Sequence, residues 1–157
     1  MWLNWLSDGL VVFFLSMLPV TELRGSLPYA LGVLKMPLIP AFLWSIAGNI
    51  APIVFLLLFL DPVFQFLFRH FSFLEKHAKK YFEKLHRKHS AKFNELGAVF
   101  LAIFVAIPLP GTGAWTGALL AYLFHIPFWL AFGSISLGVL GAGIIVAFFS
   151  ESLMWLF

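Results

Sequence analysis

Two side chains in this sequence sit among residues of the opposite character. Glu22 and Arg24 lie in the stretch PVTELRGSLP (19–28), with long apolar runs on either side. Three kinds of chemistry fit such a pair. Glu22 can take up and release a proton, since a low dielectric penalises its charged form while Arg24 favours it. Arg24 can hold a phosphate or carboxylate. Or the two can simply pair and hold the turn shut. Charges at membrane depth are costly and are kept for function or for pairing. Thr21 and Gly25 flank them, one offering a hydroxyl and the other a close backbone approach.

A second stretch, PLPGTGAWTG (108–117), has the same turn-forming character without charge. Its candidate site residues are Pro110, Gly111, Thr112, Gly113, Trp115 and Thr116. Asn49 is a further candidate. It stands three residues before Pro52, which lacks an N–H and so frees the Gly48 carbonyl. Asn49 either satisfies local backbone or lines a cavity. Other chemistries are weakly represented. Ser26 and the threonines have no nearby histidine to act as base, so no enzyme is expected. Of His70, His77, His86 and His89, the last two can share a helix face and the others do not join them at ligand spacing, so no metal and no cofactor is expected. There is no cysteine.

The composition says what surrounds these residues. The chain has 157 residues, 62 % hydrophobic and 11 % charged, with mean hydropathy +0.98. A soluble domain of this size cannot bury so much apolar surface, so its solvent is lipid. The first residues, MWLNWLSDGLVVFF, do not resemble a cleaved signal peptide, having no Lys or Arg before the apolar run. Eight of the ten basic residues fall between 69 and 92, and the 61–95 segment holds eight basic against four acidic residues. That excess predicts a cytoplasmic location for 61–95 in the cell (inner) membrane.

Segment lengths then set the architecture. About 20 apolar residues are needed to cross about 30 Å of hydrocarbon. Residues 38–60 and 127–149 qualify and contain no charge. The remaining apolar pieces are short limbs interrupted by Pro and Gly: 4–35 around PVTELRGSLP, and 96–124 around PLPGTG. Each is expected to be a re-entrant hairpin; the alternative is one long kinked span. The halves also resemble each other, with Pro37, Ala41, Phe42 and Gly48 matching Pro127, Ala131, Phe132 and Gly138. The expected fold is therefore all-α and integral to the membrane. It is a single membrane domain, 1–157, with an inverted repeat of hairpin plus transmembrane helix (1–60 and 96–157). A basic amphipathic helix, 61–95, joins the repeats on the cytoplasmic side, starting at an Asp61 cap with Pro62 in its first turn. Both termini lie outside.

In such a hairpin the second limb starts at the tip, near Gly25–Leu27 and near Gly113–Trp115. Two helix N-termini that converged at the midplane would favour an anion. Ser134, Gly138 and Ala142 form a stripe suited to close helix packing. So small a chain encloses little volume, and a homodimer is expected.

PVTELRGSLPYALG together with PLPGTGAWTGALLA resembles the small multidrug export protein family of bacteria and archaea, over nearly the whole chain. That family is in turn similar to the DedA/VTT superfamily. The resemblance implies paired re-entrant hairpins, lipid translocation, handling of undecaprenyl phosphate and proton dependence. DedA proteins carry acidic residues in the first hairpin and arginines in the second. Glu22 fits the former, whereas 108–124 holds no charge, leaving Arg24 as the central cation. The expected function is a small secondary transporter or lipid flippase, proton-coupled through Glu22, with Arg24 anchoring an anionic or amphipathic substrate. The alternatives are a multidrug exporter of cationic compounds or an intramembrane lipid phosphatase. The expected partners are membrane lipids, a small-molecule or lipid substrate and a second copy of the chain, and no nucleic acid.

Overall fold

The computed structural model describes residues 2–70, 91–109 and 111–156. Among them there are six helices and no strand: α1 Trp2–Met17, α2 Glu22–Gly32, α3 Leu38–His70, α4 Ala91–Ala106, α5 Ala114–Leu123 and α6 Phe128–Leu156. Two stretches are long and apolar enough to cross a membrane, Leu38–Leu60 in α3 and Phe128–Ser152 in α6. The other four helices are shorter. At 1.5 Å per residue, the 16 residues of α1 reach about 24 Å and the 11 of α2 about 16 Å.

The order α1–α2–α3 is echoed by α4–α5–α6 in detail. Lys35 and His125 both take a left-handed backbone at the end of the short helix (φ +53° and +54°). Each precedes a buried apolar residue, Met36 or Ile126. Pro37 and Pro127 follow and start the long helix, their carbonyls accepting from Ala41 and Ala131. In both halves the first and third helices press backbone to backbone. A Cβ on Gly48 would fall on the Phe13 carbonyl, and one on Gly138 would lie 2.7 Å from that of Ala102. Gly9 meets Trp44 as Phe13 meets Gly48, and Ala102 meets Gly138 as Ala106 meets Gly141. The contacts advance together, so α1 runs in the same sense as α3, and α4 in the same sense as α6.

The halves interlock, α2 packing on α6 and α5 on α3. Leu23, Leu27, Ile53, Leu101, Val105, Ile135 and Val139 form the shared core. Outside it, Phe55, Phe59, Leu137, Ile144 and Phe148 face outward and are well exposed. An apolar outer face of that extent suits lipid rather than water.

Three local expectations are corrected. Helix α3 does not end at residue 60 but continues through Asp61 and Pro62 to His70. Pro62 costs the helix one hydrogen bond, to the Leu58 carbonyl, and the chain stays helical on both sides of it. The cap expected at Asp61 therefore does not begin a helix there. The rest of the expected amphipathic helix, 71–90, lies outside the described residues. Likewise α6 runs beyond 149. In the first turn, α2 starts at Glu22 rather than near Gly25, and Pro28 is inside it.

Candidate functional site

The two turns, 18–21 between α1 and α2 and 107–113 between α4 and α5, meet each other, with Leu18, Val20, Ile107 and Leu109 exposed. Glu22 opens α2 with a left-handed backbone (φ +46°), a strained choice for a residue with a Cβ. That conformation directs a carboxylate that is only 7 % exposed. The carboxylate lies against Gly113, where a Cβ would overlap both its oxygens. There it accepts a hydrogen bond from the Trp115 backbone N–H. Gly113 is the N-cap of α5 and offers no side chain to the free N–H groups of the first turn. Glu22 supplies the missing acceptor, and its charge complements the positive end of the helix.

Arg24 makes the reciprocal bond. Its Nη1 donates to the Leu109 carbonyl. Its Nη2 donates to the Ile107 carbonyl at 3.2 Å and to Thr112 Oγ1 at 3.0 Å. The Thr112 hydroxyl in turn sits 2.6 Å from the Ile107 carbonyl and 2.8 Å from that of Leu109. The planar fork of a guanidinium suits such a cluster of carbonyls in a way that an ammonium does not. Glu22 and Arg24 also attract each other through space. Their hydrogen bonds, however, run to the backbone of the opposite turn, an acid on the start of α5 and a base on the carbonyls that follow α4.

Between the turns lies a cavity of about 410 Å³, lined by Pro19, Val20, Thr21, Glu22, Arg24, Pro108, Gly111, Gly113 and Thr116. Gly111 has φ +84°, in the region that glycine adopts freely. Thr21 uses its hydroxyl on the Leu15 carbonyl. Two apolar grooves flank Trp115. One, of about 620 Å³, runs along α1 from Leu10 to Pro19. The other, of about 410 Å³, runs along α3 from Pro52 to Val63. The Trp115 indole N–H donates to the Met17 carbonyl at 3.2 Å and so ties α5 to the end of α1.

The predicted residues are thus partly assembled. Glu22, Arg24, Thr21, Gly111, Gly113 and Thr116 line one cavity. Thr112 and Trp115 touch its two charged residues. Gly25 packs on Thr21 and is exposed. Asn49 is buried in α3, away from the lining of that cavity. Pro110 lies outside the described residues. The prediction missed the acceptors of Arg24, because a backbone carbonyl has no signature in sequence. It also missed Ser16 and Ser45 and weighed Ser26 only as a nucleophile; all three are fully buried.

Among the described residues no group of three or more His, Cys, Asp or Glu could hold a metal ion. No curated protein and no solved structure matches the chain. A family model does match it, over residues 22–145, which takes in Glu22, Arg24, the second turn and most of the two long helices; the chain belongs to the family described as Putative small multi-drug export protein.

Proposed function

We propose that the protein exports an amphipathic compound across the cell membrane, coupled to protons, by opening and closing the contact between its two turns. The observation that carries this reading is the crossed bonding of Glu22 and Arg24 to the backbone of the opposite turn. In this reading each half is a re-entrant hairpin followed by a span, and the halves are inverted relative to one another. The recurrence of features 90 residues apart supports the repeat. The shared direction of α1 and α3, with short α2 between them, supports the hairpin. The basic 61–95 segment then lies in the cytoplasm, both termini lie outside, and two copies form the working unit.

The mechanism follows from bond strengths. An ionised Glu22 holds the start of α5 through a charge-assisted bond, about twice as strong as a neutral one. A proton on Glu22 cancels that charge and weakens the hold. The Trp115 N–H and the cavity are then open to the polar group of a substrate, whose apolar part rests in the grooves beside Trp115. Arg24 keeps the end of α4 in place and contributes a positive charge at the cavity wall. With Glu22 protonated, an anionic group restores neutrality there, which suits an anionic headgroup, a lipid phosphate included.

One observation favours a second reading, export of cationic compounds. Arg24 directs its hydrogen bonds to carbonyls, so Glu22 can face a cation without being tied up by the guanidinium. Proteoliposomes separate the two. Anionic and cationic amphiphiles are offered with and without a pH gradient, beside Glu22→Gln. Gradient-driven flux of the anionic set, lost in the variant, supports the first reading. Flux of the cationic set alone supports the second, and flux of neither removes both.

A further inference from the structure

The charged cavity is not the only buried polar feature. Behind it, α1, α2 and α3 enclose a file of neutral oxygens. Ser16 Oγ donates to the Ser45 carbonyl at 2.6 Å. Ser26 Oγ donates to Ser45 Oγ at 3.2 Å. All three serines have no exposed surface. One turn along α3 on the same face stands Asn49, 3 % exposed, whose Oδ1 is buried and lacks a donor. The preceding carbonyl, that of Gly48, is without its helical donor because Pro52 has no N–H.

From this excess of acceptors we infer a binding site for a monovalent cation of sodium size, formed by Ser16, Ser26, Ser45, Asn49 and the Gly48 carbonyl. The hydroxyl hydrogens of Ser16 and Ser26 are already engaged within the file, while the lone pairs of Asn49 and Gly48 are left over. A water molecule could give its two hydrogens to these two, whereas a cation also draws on the lone pairs of the three serine oxygens at once. The ligand set also selects the charge. Calcium and magnesium sites draw on carboxylates, and none is in the file. A buried cation needs a compensating charge. Glu22, one turn from Ser26 on the buried face of α2, brings a negative charge to the same helix, which Arg24 and the start of α5 share. At the matching positions of the second half, 90 residues on, Ile135 and Val139 replace Ser45 and Asn49, both fully buried. The site therefore belongs only to the half that carries Glu22.

Its use as a coupling ion rests on the export reading, but the binding itself does not, and the two are tested apart. Radioactive sodium is equilibrated with the purified full-length protein in detergent, with potassium, lithium or choline as competitor at constant ionic strength. Melting curves under the same conditions establish which samples are folded. The site predicts saturable sodium binding that choline does not displace, with a sodium-dependent rise in Tm. Asn49→Leu and Ser45→Ala should weaken binding by roughly tenfold or more, the loss of one ligand to a charged group. Ser136→Ala, which removes another buried unpartnered hydroxyl in α6, should leave it unchanged. Where Asn49→Leu does not fold, Ser26→Ala gives the same reading. No saturable binding by the folded protein, or equal binding by folded Asn49→Leu, overturns the site and leaves a buried water in its place. Sodium binding without any flux would refute the export reading and keep the site.

Discussion

The contact between Glu22 and Gly113 can be broken from either side, which makes it open to a quantitative test. Gly113→Ala places a methyl group where both carboxylate oxygens of Glu22 now lie. The backbone at residue 113 (φ −80°, ψ −174°) is ordinary extended geometry that alanine adopts without strain. The penalty therefore falls on the carboxylate, which must leave the start of α5. Two terms are lost: a hydrogen bond to a charged group, about 1.5–3 kcal/mol, and the attraction to the helix terminus, about 0.3–1 kcal/mol. Together they come to roughly 2–4 kcal/mol, and at about 2–4 °C per kcal/mol for a chain of this length Tm should fall by about 5–15 °C. In a Glu22→Ala background the same methyl meets an emptied space, and only the poorer N-cap, about 1 kcal/mol, remains. The cap penalty is common to both backgrounds, so the double-mutant cycle predicts a coupling of about 2–4 kcal/mol, read from thermal unfolding of the four purified proteins in one detergent. Equal losses from Gly113→Ala in both backgrounds would refute the contact, because the methyl would then be clashing with something other than Glu22.

Other substitutions test the remaining parts. Arg24→Lys should not stand in for arginine, since one ammonium cannot span the Ile107 and Leu109 carbonyls and Thr112 together; a loss of about 2–3 kcal/mol against wild type is expected in the same unfolding assay. Thr112→Val removes one acceptor of Arg24 and should cost only about 1 kcal/mol. Gly48→Ala drives a methyl into the Phe13 carbonyl and should lower Tm through a loss of about 1–3 kcal/mol, or prevent recovery of monodisperse protein. Gly111→Ala meets no neighbour, so its cost, about 1 kcal/mol, should come from the positive φ alone.

How far the sequence foretells this structure depends on the range of the interaction. The two long spans are legible because an uncharged apolar run is a local signal, and α3 and α6 cover both. The turns are legible for the same reason, since Pro and Gly act on their own backbone. Pro62 and Pro28 show the limit of that logic: each sits inside a helix whose neighbours outweigh one missing hydrogen bond. Glu22 and Arg24 could be picked out as chemically important, but not their partners. Arg24 bonds a carbonyl 85 residues away, and any residue type presents a carbonyl. The convergent helix starts expected to attract an external anion are changed in the same way. The start of α5 already has an anion, the carboxylate of Glu22. Ser16 and Ser45 escaped notice because a small hydroxyl in an apolar helix reads the same whether it faces lipid or a neighbouring helix.

The central claim is that a proton on Glu22 releases the contact between the turns and so couples proton movement to export. It is tested most directly by recording proton movement and substrate flux together in proteoliposomes, with a pH-sensitive dye inside. The account predicts that the transported amphiphile moves protons with it in the wild-type protein, and that Glu22→Gln, which keeps an oxygen for the Trp115 N–H but cannot titrate, moves none. Proton movement that persists in Glu22→Gln alongside undiminished flux would contradict it.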